Sequence, residues 1–441
     1  MLDSFLIGIV GLLGLLALIA VRVPIAYTMI LIGIVGISLQ SGPSIVLNQL
    51  KDLAYAQFSN YDLSVLPMFI LMGGLASRCG LSADLFRGAN AWLGRFRGGV
   101  AMAAVAACAG FGAVSGSSTA TASTMGQVAL PELRKYKYSS ALATGTIAAG
   151  GTLGILIPPS VVLIVYAIIV EANVVTMFAA ALLPGILAML MFILAVALYV
   201  RLVPGSGPQG AAVSAGELGA ATVAVIPVFV IFGVVIGGIY AGIYSPTAAA
   251  AIGVSLVVLY GFGMRRLSLA GLVDALLETA RTSGMIFLIL LGAELLKIFM
   301  SRAGVPQAAA EMLQGSGLAP MVIMVLIIAI FLVLGCLMDS LSMVILAIPF
   351  FWPVVAGLDF GLSPNELKIW FGIIILVVVE VGLITPPVGL NVFIINQQAR
   401  DIPMRETFKG VMPFLGMEVV RVTLLVAFPV ITLFLPRLLQ G

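Results

Sequence analysis

The chain has 441 residues, 62% of them hydrophobic and 9% charged, with a mean hydropathy of +1.23. A soluble domain of this size has too little interior to hide that much apolar surface, so lipid must cover most of it. The net charge of +3 offers no basic field for nucleic acid, and the absence of histidine removes the commonest metal ligand and general base.

A spanning helix needs about 20 apolar residues. The first apolar run, 4–20, follows no basic stretch and precedes no convincing cleavage site, so it is expected to be a retained helix rather than a signal peptide. Further long runs lie at 24–40, 63–77, 139–170, 177–200, 221–242, 246–263, 283–299, 369–397 and 411–436. Ten spanning segments are therefore expected. The runs 100–130 and 320–353 differ. Small or polar residues interrupt each near its middle, leaving halves of about 14 residues, too short to span. Both are predicted to be re-entrant helical hairpins. Cys79, Cys108 and Cys336 lie far apart, which argues against a disulfide framework or a zinc site.

Basic residues orient this pattern. Arg78, Arg87, Arg95 and Arg97 precede the first hairpin, and Arg134, Lys135 and Lys137 follow it. Both flanks are expected in the cytoplasm. With the N-terminus outside, Arg22, Arg201, Arg265, Arg266, Arg281, Arg400, Arg405 and Lys409 fall inside as well. Lys51, Lys297, Arg302, Lys368 and Arg437 fall outside, and Arg421 lies within a helix. The second hairpin then enters from outside, so the two halves have opposite orientation. The first repeat is expected over 1–202, a Gly-, Pro- and Ser-rich linker over 203–220 and the second repeat over 221–441. Amphipathic arms are expected at 81–97 and near 266–282.

The repeat is visible in the residues. Gly154-Ile-Leu-Ile-Pro158-Pro159 in the first half matches Gly382-Leu-Ile-Thr-Pro386-Pro387 in the second, and Val23-Pro24-Ile25-Ala26 resembles Ser245-Pro246-Thr247-Ala248. Each half carries its hairpin before its double proline. Inverted repeats with interrupted helices are a secondary-transporter architecture, with the site near the midplane.

The double prolines suit cation binding. Proline has no N–H, so Pro158 and Pro159 free the carbonyls of Gly154 and Ile155, and Pro386 and Pro387 those of Gly382 and Leu383. In hydrocarbon such carbonyls need a partner, and a sodium ion would serve. The C-terminal end of a half-helix adds partial negative charge. Thr385 offers a hydroxyl at the second break, and Thr152 lies just before the first. The first hairpin tip, Ser115-Gly-Ser117-Ser118-Thr119-Ala-Thr121, supplies small residues and hydroxyls. Its return helix points an N-terminus at the centre, which suits a carboxylate. The second tip, Met338-Asp339-Ser340-Leu-Ser342, holds an aspartate that could cap its helix, help hold a cation, or both.

Other charges within apolar runs have bland readings. Glu380, two residues before Gly382, either pairs or braces the site. Glu294 with Lys297 and Glu418 with Arg421 are spaced to pair on one helix face. Gly73-Gly74, Gly150-Gly151 and Gly237-Gly238 suit helix packing or hinges, and no Gly-Lys-Ser/Thr follows them to make a phosphate loop. An intramembrane enzyme built on Asp339 and Glu380 would lack histidine, a serine–lysine pair and a metal cluster, so no enzymatic activity is expected.

Four segments carry a resemblance: 115–131 (SGSSTATASTMGQVALP), 150–160 (GGTLGILIPPS), 244–249 (YSPTAA) and 382–391 (GLITPPVGLN). With the second tip, Asp339-Ser340 included, they resemble the large membrane subunit of tripartite ATP-independent periplasmic (TRAP) transporters over essentially the whole chain. Many members have Asp-Gly where this chain has Asp339-Ser340. The resemblance implies an all-α integral membrane protein of the bacterial inner membrane, an inverted-repeat elevator driven by sodium. It implies a small four-helix membrane partner, here expected as a separate chain, and a periplasmic substrate-binding protein that delivers a small carboxylate solute. The transport domain would comprise the hairpins and the broken helices at 150–160 and 382–391. One sodium is then expected near Ser115, Ser117, Ser118, Thr152 and Gly154, and a second near Asp339, Ser342, Gly382 and Thr385. The solute is expected between the tips, against Ser117, Ser118, Thr119, Ser340, Pro159 and Pro387. The alternative is a stand-alone sodium:dicarboxylate symporter of the same broad fold.

Overall fold

The structure, a computed structural model, describes residues 2–210, 214–315 and 317–440. Among these the chain is helical throughout, with one isolated bridge between Arg97 and Gln209. Five helices are long and apolar enough to cross a membrane: Val174–Leu202, Ala215–Tyr240, Pro246–Gly263, Leu269–Ala303 and Met404–Ala427. Two bent pairs raise this to seven if each is one span, Tyr61–Arg78 with Leu81–Leu93 and Ser140–Leu156 with Val161–Ile169. Others expected to span are shorter, Ser4–Ala20 and Ile25–Ser41 among them. Large apolar side chains face outward around the molecule, such as Leu6, Phe229 and Leu259, each more than 60% exposed. Such a surface needs lipid or partners to cover it.

Both predicted hairpins form as helix–turn–helix units. The first joins Gly99–Ser115 to Ser118–Lys135, and the second joins Pro320–Gly335 to Ser340–Ala356. Gly116 makes the first turn with φ +61°, a left-handed conformation that side chains disfavour. Both double-proline segments interrupt their helices. Ser140–Gly151 and the short Leu153–Leu156 stop before Pro158, and Val161–Ile169 resumes after Ser160. Pro364–Gly382 stops before Pro386, and Leu390–Gln398 resumes after Gly389.

Three expectations are corrected. The arm near 266–282 is not a separate element: 269–303 is one helix of 35 residues, because no proline or left-handed glycine interrupts it. In the first half Gly80, at φ +73°, separates Val65–Arg78 from Leu81–Leu93. The expected span 411–436 is two helices, Met404–Ala427 and Val430–Gln440, broken where Pro429 supplies no N–H. The linker 203–220 is not a free tether. Gly207 accepts from Gly98 N at 3.0 Å, Pro208 from the Tyr138 hydroxyl at 2.9 Å and Ser206 from Ser139 N at 2.9 Å. Its residues 215–220 already belong to a helix, and 211–213 lie outside the described residues.

The two halves interlock through ion pairs. Asp84, buried on the first arm, receives Arg266 from the second half. Arg78 meets Glu278 at 2.9 Å, and Arg134 meets Asp401 at 2.7 Å. Arg134 donates to the Asp401 carboxylate and holds it below the usual carboxyl range. That contribution is present at neutral pH and is lost as pH falls through the depressed value. Helices also meet at backbone distance. A Cβ on Gly410 would lie 1.8 Å from the Ala141 carbonyl oxygen, so only glycine permits this crossing.

The expected pair Glu418–Arg421 forms at 2.5 Å, with both side chains 1% exposed. Removing one member of so buried a pair strands the other charge. Arg421→Met should therefore lower stability by about 3–5 kcal/mol, whereas Glu418→Leu with Arg421→Met should recover most of the loss. Thermal unfolding in detergent checks both variants, and additive losses would contradict the pairing.

Candidate transport site at two hairpin tips and two helix breaks

At the first tip, Ser117 is the N-cap of Ser118–Lys135, and its Oγ accepts from Ala120 N at 3.3 Å. Ser115 Oγ and Thr121 Oγ1 lie 2.9 Å apart, and Ser117 and Thr119 hydroxyls 3.3 Å apart. The tip sits directly on the first break. A Cβ on Gly154 would come within 2.5 Å of both the Ser117 carbonyl oxygen and Thr121 Oγ1. A Cβ on Gly116 would lie 2.8 Å from the Pro159 carbonyl oxygen. Ser115, Ser117, Thr121, Gly154 and Pro159 are thus brought together. Thr152 is buried nearby in sequence, but its hydroxyl donates to Ala149 O at 2.6 Å within its own helix turn.

The second tip repeats the arrangement. Asp339 is the N-cap of Ser340–Ala356, and Oδ2 accepts from Ser342 N at 3.1 Å. The cap half of its dual reading is therefore present. Gly335, at the end of the incoming arm, rests on the second break: a Cβ on Gly382 would lie 2.5 Å from the Gly335 carbonyl carbon. Thr385 donates to Val381 O at 2.6 Å, which leaves its oxygen lone pairs available. Pro387 is exposed while Pro159 is buried, so these paired positions differ in surroundings.

The second break also corrects the expectation that its carbonyls are left without donors. Gly382 O accepts from Thr385 N at 3.1 Å, and Leu383 O accepts from Asn391 N at 3.0 Å. The chain folds back to replace the bonds that Pro386 and Pro387 cannot make. A carbonyl has two lone pairs, so each retains one for a ligand. These carbonyl oxygens and the Thr385 hydroxyl are of the chemical type that suits a hard cation. Among the described residues no three His, Cys, Asp or Glu side chains cluster for a metal.

Three residues join the site beyond the expected ligand sets. Thr121 touches Gly154, as above. Asn391 is fully buried; its amide donates to Ala148 O at 3.3 Å, and Oδ1 has no hydrogen-bond partner. It ties the second broken helix to the first. Glu380, 1% exposed, accepts Ser118 Oγ on Oε2 and Ser340 Oγ on Oε1, the latter at 2.7 Å. One carboxylate thus holds the first residue of each return helix. The signal for Glu380 was its charge inside an apolar run; nothing local in sequence pointed to its two partners.

Residues 12–431 match the family described as "Tripartite ATP-independent periplasmic transporter, DctM component". The chain belongs to this family. It is 33% identical to the C4-dicarboxylate TRAP transporter large permease protein DctM of Pseudomonas aeruginosa, over 88% of this chain and 90% of that one. It is 28% identical to the sialic acid TRAP transporter large permease protein SiaM of Vibrio cholerae, over 95% and 96%. The crystal structure of the Alcanivorax borkumensis YdaH transporter aligns with a TM-score of 0.62 over 89% of this chain and 90% of that chain, at 14% identity, which bears on fold alone. Membership makes this a multi-pass membrane protein and a large permease subunit. It also implies a small membrane subunit and a periplasmic binding protein as partners. The relatives are named as permeases, which supports a transport role over an enzymatic one and does not favour a stand-alone carrier.

The glycine contacts give a sharp test. Gly73 has no room for a side chain, since a Cβ would lie 2.8 Å from Ser115 Cα, while a Cβ on the adjacent Gly74 would meet nothing within 4 Å. Gly73→Ala, Gly154→Ala and Gly382→Ala should each cost about 1–3 kcal/mol through overpacking. Half-saturation for the transported solute should rise by about 5- to 150-fold. Gly74→Ala should leave uptake near the parent value; equal defects at 73 and 74 would contradict the geometry.

Proposed function

We propose that this chain is the membrane carrier of a sodium-coupled importer, taking a small carboxylate solute from a periplasmic binding protein and moving it across the bacterial inner membrane. The observation that supports this best is the paired geometry: each hairpin rests at backbone contact on a proline-broken helix, once in each half. Ten spans, two re-entrant hairpins and an elevator motion of the tip-and-break unit against the remaining helices complete the reading. The relatives named for C4-dicarboxylates and for sialic acid both handle carboxylates, which supports that solute class here.

In this reading Ser115, Ser117, Ser118, Thr152 and Gly154 surround one sodium position, and Asp339, Ser342, Gly382 and Thr385 the other. Thr121 and the Asn391 amide oxygen extend the donors at the first break. Bound sodium supplies positive charge at the broken helix ends. Ser117, Ser118, Thr119 and Ser340 present hydroxyls and helix N-termini to a carboxylate, which such ends favour. Pro159 and Pro387 keep the backbone open beside it. The closely packed glycines make each tip and break one stiff unit, so it moves as a body.

The test is uptake into proteoliposomes holding this chain, its small membrane partner and the cognate binding protein. Uptake should need both an inward sodium gradient and the binding protein. Thr385→Ala and Asp339→Ala should raise half-saturating sodium about tenfold, equivalent to about 1.4 kcal/mol. Sodium-independent uptake in the parent would overturn the coupling, and uptake without the binding protein would support the stand-alone symporter.

A further inference from the structure

Glu380 is the only buried carboxylate that touches both hairpins among the described residues. Its partners occupy equivalent places in the inverted repeat. Ser118 directly follows the cap Ser117, and Ser340 directly follows the cap Asp339. The two return helices therefore begin on the two oxygens of one side chain. Glu380 has no counterpart across the repeat: two residues before Gly154 stands Thr152, whose hydroxyl is spent on Ala149 O. The link between the tips is carried by this side chain alone on its helix.

We propose that Glu380 is a positioning residue that couples the two tips, so that ordering one tip at its break favours ordering of the other. The reasoning is energetic. A serine seated on one oxygen fixes the Glu380 side chain, so its other oxygen already stands where the second serine must donate, and the second tip is seated at a smaller cost in side-chain entropy. A released tip leaves a buried oxygen without its donor, which is costly in an apolar interior. Ordering of either tip therefore favours ordering of the other. Resting on the sodium reading above, this makes occupation of the two breaks cooperative without any direct contact between the ions. It also places the gate for the solute under a single residue that lies behind both tips.

The experiment is the sodium dependence of binding-protein-driven uptake in proteoliposomes for the parent, Glu380→Gln and Glu380→Ala. The parent should show a Hill coefficient above one. Glu380→Ala should bring it to one and raise half-saturating sodium by about 5- to 150-fold. Glu380→Gln keeps one oxygen acceptor and turns the other into an amide donor, so it should fall between. A loss of expression alone would move the maximal rate and leave the Hill coefficient intact. Should Glu380→Ala not fold, Ser118→Ala, Ser340→Ala and the double variant close a cycle: coupling predicts non-additive changes in half-saturation, and independent tips predict additive ones. A second readout needs no sodium dependence. Spin labels at Thr119→Cys and Leu341→Cys, with the native cysteines buried, should report one narrow distance in the parent and a broadened distribution in Glu380→Gln. A sodium-indifferent parent would overturn the sodium reading while leaving this distance test in force. An unchanged distribution with an unchanged Hill coefficient would overturn the coupling itself.

Discussion

The structure turns on a constraint that lipid imposes on the backbone: a polar group without water must find a partner inside the protein. Two proline pairs violate helical pairing in the middle of two helices, and everything around them answers that violation. At the second break the chain curls so that Thr385 N and Asn391 N reach the carbonyls of Gly382 and Leu383. This makes the break stable by itself, with each carbonyl oxygen keeping one lone pair unused. A break satisfied in this way needs no ligand to hold its shape.

Close packing follows from the same medium. Helices surrounded by lipid gain little from hydrophobic association, so they adhere through dense contact between small residues. Gly112 against Gly154, Gly335 against Gly382 and Gly145 against Gly410 are such contacts, each with backbone atoms where a side chain would stand. The first two seat a hairpin on its break. The third locks the helix that leads into the first break against Met404–Ala427. Large apolar side chains stand on both sides of this packing: Trp370, Phe111 and Phe178 are fully buried, while Leu6, Phe229 and Leu259 face the surrounding phase.

Much of this was legible because its causes are local. Pro158-Pro159 and Pro386-Pro387 break a helix wherever they occur, and the small polar clusters Ser115-Gly-Ser-Ser118 and Asp339-Ser340 mark turns between short helices. Asp339 was readable as a cap because the residues after it begin an apolar helix. What stayed hidden depends on distant chain. The linker's hydrogen bonds to Gly98 and Tyr138 require a register that composition does not encode. The continuity of Leu269–Ala303 was masked by the change from amphipathic to apolar pattern, which altered the environment but not the helix. The two serines on Glu380 lie 262 and 40 residues from it, beyond the reach of any spacing argument.

The same asymmetry that hides Glu380 gives the two pseudo-symmetric tips different electrostatics. The return helices begin alike, and both N-termini lie on the Glu380 carboxylate. The first is capped by neutral Ser117, the second by Asp339. A helix N-terminus carries about half a positive charge. Asp339 adds an acidic group to the second tip where the first has only a hydroxyl, so two equivalent helix starts differ in chemistry. The duplicated scaffold keeps the contact between each hairpin and its break, through Gly154 in one half and Gly382 in the other, while single side chains make the two halves unlike.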